Sequence, residues 1–198
     1  EEPIRSYLET IYPAYQKHLK DNNLLDFEDL MVLTIQLLKE NKEVRTYYQK
    51  QFQYILVDEF QDTNNVQYTL IKLLVNEQQN LFIVGDEDQS IYAFRGANID
   101  NIRKFERDYL NVERILLEQN YRSTNHILKA ANQVIRKNKN RIEKNLFSTR
   151  GDGEPITFFK AYSNRDEAEY VAEMIKILTR TLYQNDEIAI LYRANSMS

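Results

Sequence analysis

The 198-residue sequence has no cysteine and no tryptophan, and only four glycines and three prolines. Without cysteine there is no disulfide and no thiolate metal site, which is compatible with a reducing compartment. The scarcity of glycine has a sharper consequence. Gly85, Gly96, Gly151 and Gly153 are followed by Asp86, Ala97, Asp152 and Glu154. No Gly-Lys pair occurs, so the sequence encodes no G-x-x-x-x-G-K-[ST] loop of the kind that cradles phosphates on backbone amides. No apolar run approaches the roughly 18 residues of a membrane span, and the first residues show no charged-then-apolar leader pattern. An excess of positive charge is missing too: 26 basic residues face 30 acidic ones, a net charge of −4. That balance argues against bulk electrostatic binding of nucleic acid, so any such contact must be local, through a few positioned cations and aromatic stacking. With tryptophan absent, 14 tyrosines and 9 phenylalanines must supply any stacking surface.

What is present reads as an ordinary globular chain, 42% hydrophobic and 28% charged, long enough for one or two domains. It has no internal repeat and no low-complexity tract. The most informative stretch is the β-forming run Tyr54-Ile55-Leu56-Val57, which ends abruptly in Asp58 and Glu59 and then in Asn64, a good helix N-cap. Two adjacent carboxylates at the C-terminal end of a strand suit a nucleotide-hydrolysing site: one can hold Mg²⁺, and its neighbour can orient or deprotonate the attacking water. A strand ending in a solvated acidic turn would read the same way. Leu81-Phe82-Ile83-Val84 runs in turn into Gly85-Asp86-Glu87-Asp88-Gln89-Ser90, and Ile115-Leu116-Leu117 into Glu118-Gln119-Asn120-Tyr121-Arg122-Ser123. Three apolar strands with polar termini are expected side by side in a parallel sheet, with their ends facing one crevice.

Around these strands, helices are expected as follows. Ile4 to Lys20 reads as a helix interrupted by Pro13. Asp26 caps a helix with Phe27, Leu30, Met31, Leu37 and Leu38 on one face. Val66, Leu70, Leu73 and Leu74 place a helix against the sheet, another spans Ile99 to Tyr109, and Ser123 caps one with Ile127, Leu128, Ala131, Val134 and Ile135 as its buried stripe. Gly151 to Pro155 is a turn or linker. Ile156 to Phe159 reads as a strand, Asp166 to Leu182 as an amphipathic helix and Glu187 to Tyr192 as a strand. The fold class is therefore α/β with a mainly parallel sheet. From Lys129 to Arg150 there are seven basic residues and one acid, Glu143; this is either a solvated helix end and loop or a DNA-facing strip.

The phrases Asp58-Glu59-Phe60-Gln61-Asp62-Thr63-Asn64, Gly85-Asp86-Glu87-Asp88-Gln89-Ser90-Ile91-Tyr92-Ala93-Phe94-Arg95-Gly96-Ala97 and Leu117-Glu118-Gln119-Asn120-Tyr121-Arg122-Ser123 resemble three motifs of the superfamily 1 DNA helicases of the UvrD, PcrA and Rep kind. The resemblance spans residues 24 to 198. It implies RecA-like P-loop NTPase motor domains with mainly parallel sheets flanked by helices, present here in part. On that reading residues 1–23 are the tail of a helical insertion, 24–118 the later part of the first motor domain and 119–198 the beginning of the second. It further implies ATP and Mg²⁺ as cofactors, single-stranded DNA and single-strand/duplex junctions as partners together with repair or replication proteins, a cytoplasmic location, and 3′-to-5′ translocation.

Residue by residue, Asp58 is the candidate Mg²⁺ ligand and Glu59 the candidate activator of water; Asp62 is read as local capping or turn chemistry. Gln89 matches the family glutamine that touches the γ-phosphate and relays its presence to the DNA site, a role a neutral amide suits because it both donates and accepts. Tyr92, Phe94 and Arg95 fall where the family reaches single-stranded DNA. Many relatives carry tryptophan where this chain has Phe94, so weaker stacking is expected there, and core packing competes for Tyr92. Tyr121 and Arg122 resemble the pair in which the tyrosine stacks on adenine and the arginine reaches the γ-phosphate from the second motor domain. With no phosphate-cradling loop in the sequence, these 198 residues read as an internal piece of a larger helicase, and little ATP hydrolysis is expected of them alone. Two other readings carry the same residues: a shortened, non-hydrolysing binder of single-stranded DNA, and the helicase part of a helicase–nuclease.

Overall fold

The computed structural model describes residues 2–139 and 141–192. The chain divides into two compact units, one built from residues up to 119 together with 131–146, the other from 120–130 together with the residues from 147 onward.

The first unit opens with α1 (Glu2–Asp21), which runs as one helix through Pro13 where the sequence suggested an interruption. α2 (Phe27–Glu40) starts at Asp26 in a full capping box: Asp26 Oδ1 accepts from the Asp29 amide at 2.8 Å, and Asp29 Oδ2 accepts from the Asp26 amide at 3.2 Å. Its buried residues are Ile35 and Leu38, and Phe27, expected on the buried face, is 88% exposed. Asn41 ends α2 and at once caps α3 (Lys42–Gln51), a helix the sequence did not announce.

β1 (Ile55–Val57) and β2 (Leu81–Ile83) pair in parallel, Ile55 opposite Leu81 and Val57 opposite Ile83. Parallel neighbours need a crossover, and α4 (Asn65–Leu74) supplies it. Asn64 and Gln67 form its capping box, and Gln49 of α3 closes its far end by donating to the Leu73 and Val75 carbonyls at 2.9 and 3.0 Å. α5 (Asp100–Asp108) follows. The core lies where these elements meet: Phe60, Tyr68 and Phe105 are buried in edge-to-face contact, with Val57, Ile71, Ile83 and Ile102 packed around them. Phe60 is the residue after Glu59, so a fully buried ring anchors the acid-bearing turn.

The sheet is smaller than expected. Residues 115–117, 156–159 and 188–192 form no strand, because a strand needs the N–H and C=O groups of a neighbour and no described segment offers them. α6 (Asn125–Ile135), which belongs to the second unit through residue 130, begins two residues beyond Ser123, and α7 (Asn164–Thr181) of the second unit is capped by Ser163. Phe159 stacks flat on Tyr170 of α7, ring centroids 3.9 Å apart. No helix of the described residues is long and apolar enough to cross a membrane.

One contact outside the site ties stability to pH. Asp108 accepts from the Tyr68 hydroxyl at 2.8 Å and from the Lys72 ammonium at 3.1 Å. Burial pushes the Asp108 carboxyl up, but these two donors outweigh it and hold it below its ordinary value of 3.8. A carboxylate with a lowered folded pKa contributes stability that is present above its unfolded pKa and lost as pH falls through the folded one. Denaturant titrations should therefore show Tyr68→Phe less stable by about 1 kcal/mol at neutral pH, since partly exposed Asp108 keeps water as an alternative partner. The gap should narrow below the ordinary carboxylate range, and an equal gap at acid and neutral pH would rule the linkage out.

Candidate functional site

The backbone pairing of the two strands continues past their ends: the Val84 amide donates to the Val57 carbonyl at 2.8 Å, and the Phe60 amide to the Val84 carbonyl at 2.9 Å. These two bonds hold the Asp58–Glu59 turn against the loop that begins at Gly85. Asp58 is exposed, and one of its oxygens accepts from the Glu59 amide at 2.9 Å. Glu59 sits in the left-handed region, φ 50° and ψ 40°, a conformation costing a non-glycine residue roughly 1–2 kcal/mol. The chain thereby turns from strand into the 3₁₀ turn Phe60–Asp62 within one residue. Beyond it the fully buried Asn101 side chain donates through Nδ2 to the Thr63 carbonyl at 3.0 Å and fastens the turn to α5.

Gln61, to which the sequence assigned no role, occupies the centre of this arrangement and is 1% exposed. Its Nε2 donates to Glu59 Oε2 at 2.7 Å, and its Oε1 accepts from the Asp86 amide at 3.0 Å. Gly85 is required by this close approach: a Cβ there would lie 2.9 Å from Gln61 Oε1. The only signal for Gln61 in the sequence was its place inside the acidic motif. Asp62 caps nothing. Its Oδ1 is buried without a hydrogen-bond partner among the described residues, and Asn64 does the capping instead.

The loop after β2 is held through its acids. Asp86 accepts from the Asp88 amide at 3.0 Å and from Gln89 Nε2 at 2.8 Å, with Gln89 itself exposed. Arg141 pairs with Asp88 at 2.7 Å, both side chains 8% exposed, while Lys144 pairs with Asp86 and lies 3.5 Å from Asp88. Burial pushes the Asp86 carboxyl up, but Lys144 and Gln89 outweigh it and hold it below the usual range. Most of the basic run from Lys129 to Arg150 is the solvated helix end and loop expected, with Lys129, Arg136, Lys137, Lys139 and Arg150 exposed, whereas Arg141 and Lys144 are committed to the Asp86–Asp88 loop.

Three residues beyond Gln89 the aromatics begin, and they face solvent. Phe94 is 79% exposed and Tyr92 38%, so Tyr92 is not a core residue. The Arg95 guanidinium lies over both rings, 5.2 Å from Tyr92 and 5.4 Å from Phe94, a cation–π arrangement that stiffens an exposed stacking surface.

In the second unit, Asn120 Oδ1 accepts from the Arg122 and Ser123 amides at 3.0 and 2.7 Å, and Arg150 donates to the Tyr121 and Arg122 carbonyls at 3.3 and 2.9 Å. The Tyr121–Arg122 turn is therefore fixed by backbone contacts from both sides, and both side chains are exposed.

Among the described residues no group of three or more His, Asp or Glu could hold a metal on protein atoms alone. A nucleotide-bound Mg²⁺ asks less of a protein, one or two carboxylates, and fills its remaining positions with phosphate oxygens and water. Asp58 and Glu59, both exposed at the end of β1, are carboxylates that could serve.

Comparison with known proteins gives matches along the chain. Residues 1–110 match the family described as UvrD/REP helicase N-terminal domain, and residues 115–198 match the UvrD-like helicase C-terminal domain. An ATP-dependent DNA helicase PcrA of Staphylococcus epidermidis is 51% identical over 189 residues, covering 96% of this chain and 26% of that protein. The protein of that name from Staphylococcus aureus is likewise 51% identical over 189 residues, with the same coverage of each chain. The chain thus spans about a quarter of the length of the curated relatives it matches.

Proposed function

The chain belongs to the UvrD/Rep helicase family, and from that premise we propose that it is a segment of an ATP-dependent DNA helicase. In this reading it moves 3′ to 5′ on single-stranded DNA and opens duplex junctions in the cytoplasm, in repair or replication. The observation that carries it is the placement of Asp58 and Glu59 at the C-terminal end of a parallel strand, hydrogen-bonded through to the loop that bears Gln89. Ligands of open α/β sheets bind at such strand ends, which also supports a RecA-like motor fold. Residues 24–118 then belong to a first motor domain, 119–198 to the start of a second, and 1–23 to the tail of a helical insertion.

In this scheme Asp58 would hold Mg²⁺, which would supply positive charge to the phosphate oxygens. Glu59 orients the attacking water and accepts its proton. Gln89 offers its amide to the terminal phosphate, Tyr121 stacks on adenine, and Arg122 stabilises transition-state charge. Tyr92 and Phe94, with Arg95 across their faces, stack on bases of single-stranded DNA.

The test is ATP turnover by the full-length protein with and without oligothymidylate. Single-stranded DNA should stimulate turnover, and Phe94→Ala should weaken oligothymidylate binding by about 1–3 kcal/mol, roughly 5- to 150-fold. Turnover indifferent to DNA, or binding unchanged by that substitution, would remove the translocase reading.

A further inference from the structure

We propose that Gln61 is a positioning residue that ties Glu59 to the loop carrying Gln89, so that the placement of the water-activating carboxylate depends on the state of that loop. The inference rests on the helicase reading above. It starts from a side chain with a donor at one end and an acceptor at the other. The donor end of Gln61 meets the Glu59 carboxylate at 2.7 Å, and the acceptor end meets the Asp86 amide at 3.0 Å. The Asp86 side chain then accepts from Gln89 at 2.8 Å. Three hydrogen bonds thus connect Glu59 to Gln89 across loops that are 25 residues apart at the Gln61–Asp86 step.

Three features make the connection stiff. Gln61 is 1% exposed, so water has little access to replace either partner. Its amide lies so close to Gly85 that a single added carbon there would sit 2.9 Å from Oε1. Glu59 is held in a left-handed backbone conformation, and its carboxylate is fixed by Gln61 rather than by a regular strand or helix. A displacement of the 86–89 loop therefore pulls on the Gln61 amide and, through it, on Glu59. An aliphatic residue at 61 makes neither bond, and a glutamate keeps the acceptor for the Asp86 amide but presents a like charge to Glu59.

The test uses the full-length protein with Gln61→Leu, Gln61→Glu, Gln89→Ala and the Gln61→Leu/Gln89→Ala double variant, and Glu59→Gln as the control on the reading itself. Two readouts are taken: kcat and KM for ATP at saturating oligothymidylate, and hydrogen exchange of the Asp86 amide without nucleotide. Gln61→Leu and Gln61→Glu should each lower kcat on the order of 10- to 100-fold, the scale of a misplaced reacting group. KM should stay within about threefold, because ground-state binding is not what is lost. The Asp86 amide should exchange faster in Gln61→Leu and remain protected in Gln61→Glu. The double variant should lose much less than the product of the two single losses, since both cut one linkage. Should Gln61→Leu fail to fold, Gln61→Glu and its double variant with Gln89→Ala carry the same cycle. Multiplicative losses, or an unchanged kcat, would overturn the proposal while Glu59→Gln remained inactive. Full turnover in Glu59→Gln would instead overturn the helicase reading on which it rests.

Discussion

Arg122→Ala is expected to lower ATP turnover of the full-length protein on the order of 10³-fold, the scale of losing an arginine that stabilises charge in phosphoryl transfer. The structure makes this substitution a clean one. The Arg122 amide is bonded to Asn120 and its carbonyl to Arg150, so the turn is held by backbone groups that alanine also has. The side chain itself is exposed and contributes little to the stability of its own unit. Loss of turnover should therefore appear in kcat, with the melting temperature unchanged and ATP binding weakened only modestly. Arg122→Lys should recover only part of the activity, because an ammonium is a point charge and lacks the planar fork that meets two phosphate oxygens at once. Turnover within a few-fold of the parent after Arg122→Ala would remove the residue from the catalytic assignment.

How much of this was legible in the sequence depends on the range of the interaction concerned. Local signals read well. Asp26 and Asn64 each announced a helix start, and each is found in a capping box with the residue three further on. The acidic pair after a β-forming run marked the strand end correctly. Where a feature depends on a distant partner, the sequence is silent. Ile115-Leu116-Leu117 has the composition of a strand, but a strand is defined by its neighbour, and none of the described residues pairs with it. Arg141 and Lys144 looked like part of a cationic strip, yet their acids stand 53 to 58 residues earlier, in the Asp86–Asp88 loop. Gln61 gives no sequence signal of its own for the same reason: one of its side-chain partners is two residues away, but the other is 25. Asp62 is a local case: of the capping and turn roles its position suggested it takes the turn, as the last residue of the 3₁₀ turn, while Asn64 supplies the cap.

The second large effect is expected of Glu59→Gln, which should reduce turnover on the order of 10²- to 10⁴-fold, the range spanned by removal of a positioned general base. The substitution changes one atom and keeps the volume. An amide oxygen at that position can still accept from Gln61 Nε2, so the bond now measured at 2.7 Å survives, and with it the link to the Gly85–Ser90 loop. The left-handed backbone at residue 59 is no harder for glutamine than for glutamate. What disappears is the capacity to take a proton, together with one negative charge beside Asp58. The expected phenotype is thus specific: ATP is bound at least as tightly, because a carboxylate no longer faces the phosphates, while hydrolysis stops. Asp58→Ala should differ from it, losing the carboxylate that would hold Mg²⁺ and therefore weakening Mg²⁺-dependent nucleotide binding itself. Single-turnover hydrolysis of labelled ATP, measured beside nucleotide affinity with and without Mg²⁺, separates the two. If both variants lost binding alike, Glu59 would be acting with Asp58 on the metal rather than on water, and the division of labour between the two adjacent acids would have to be abandoned.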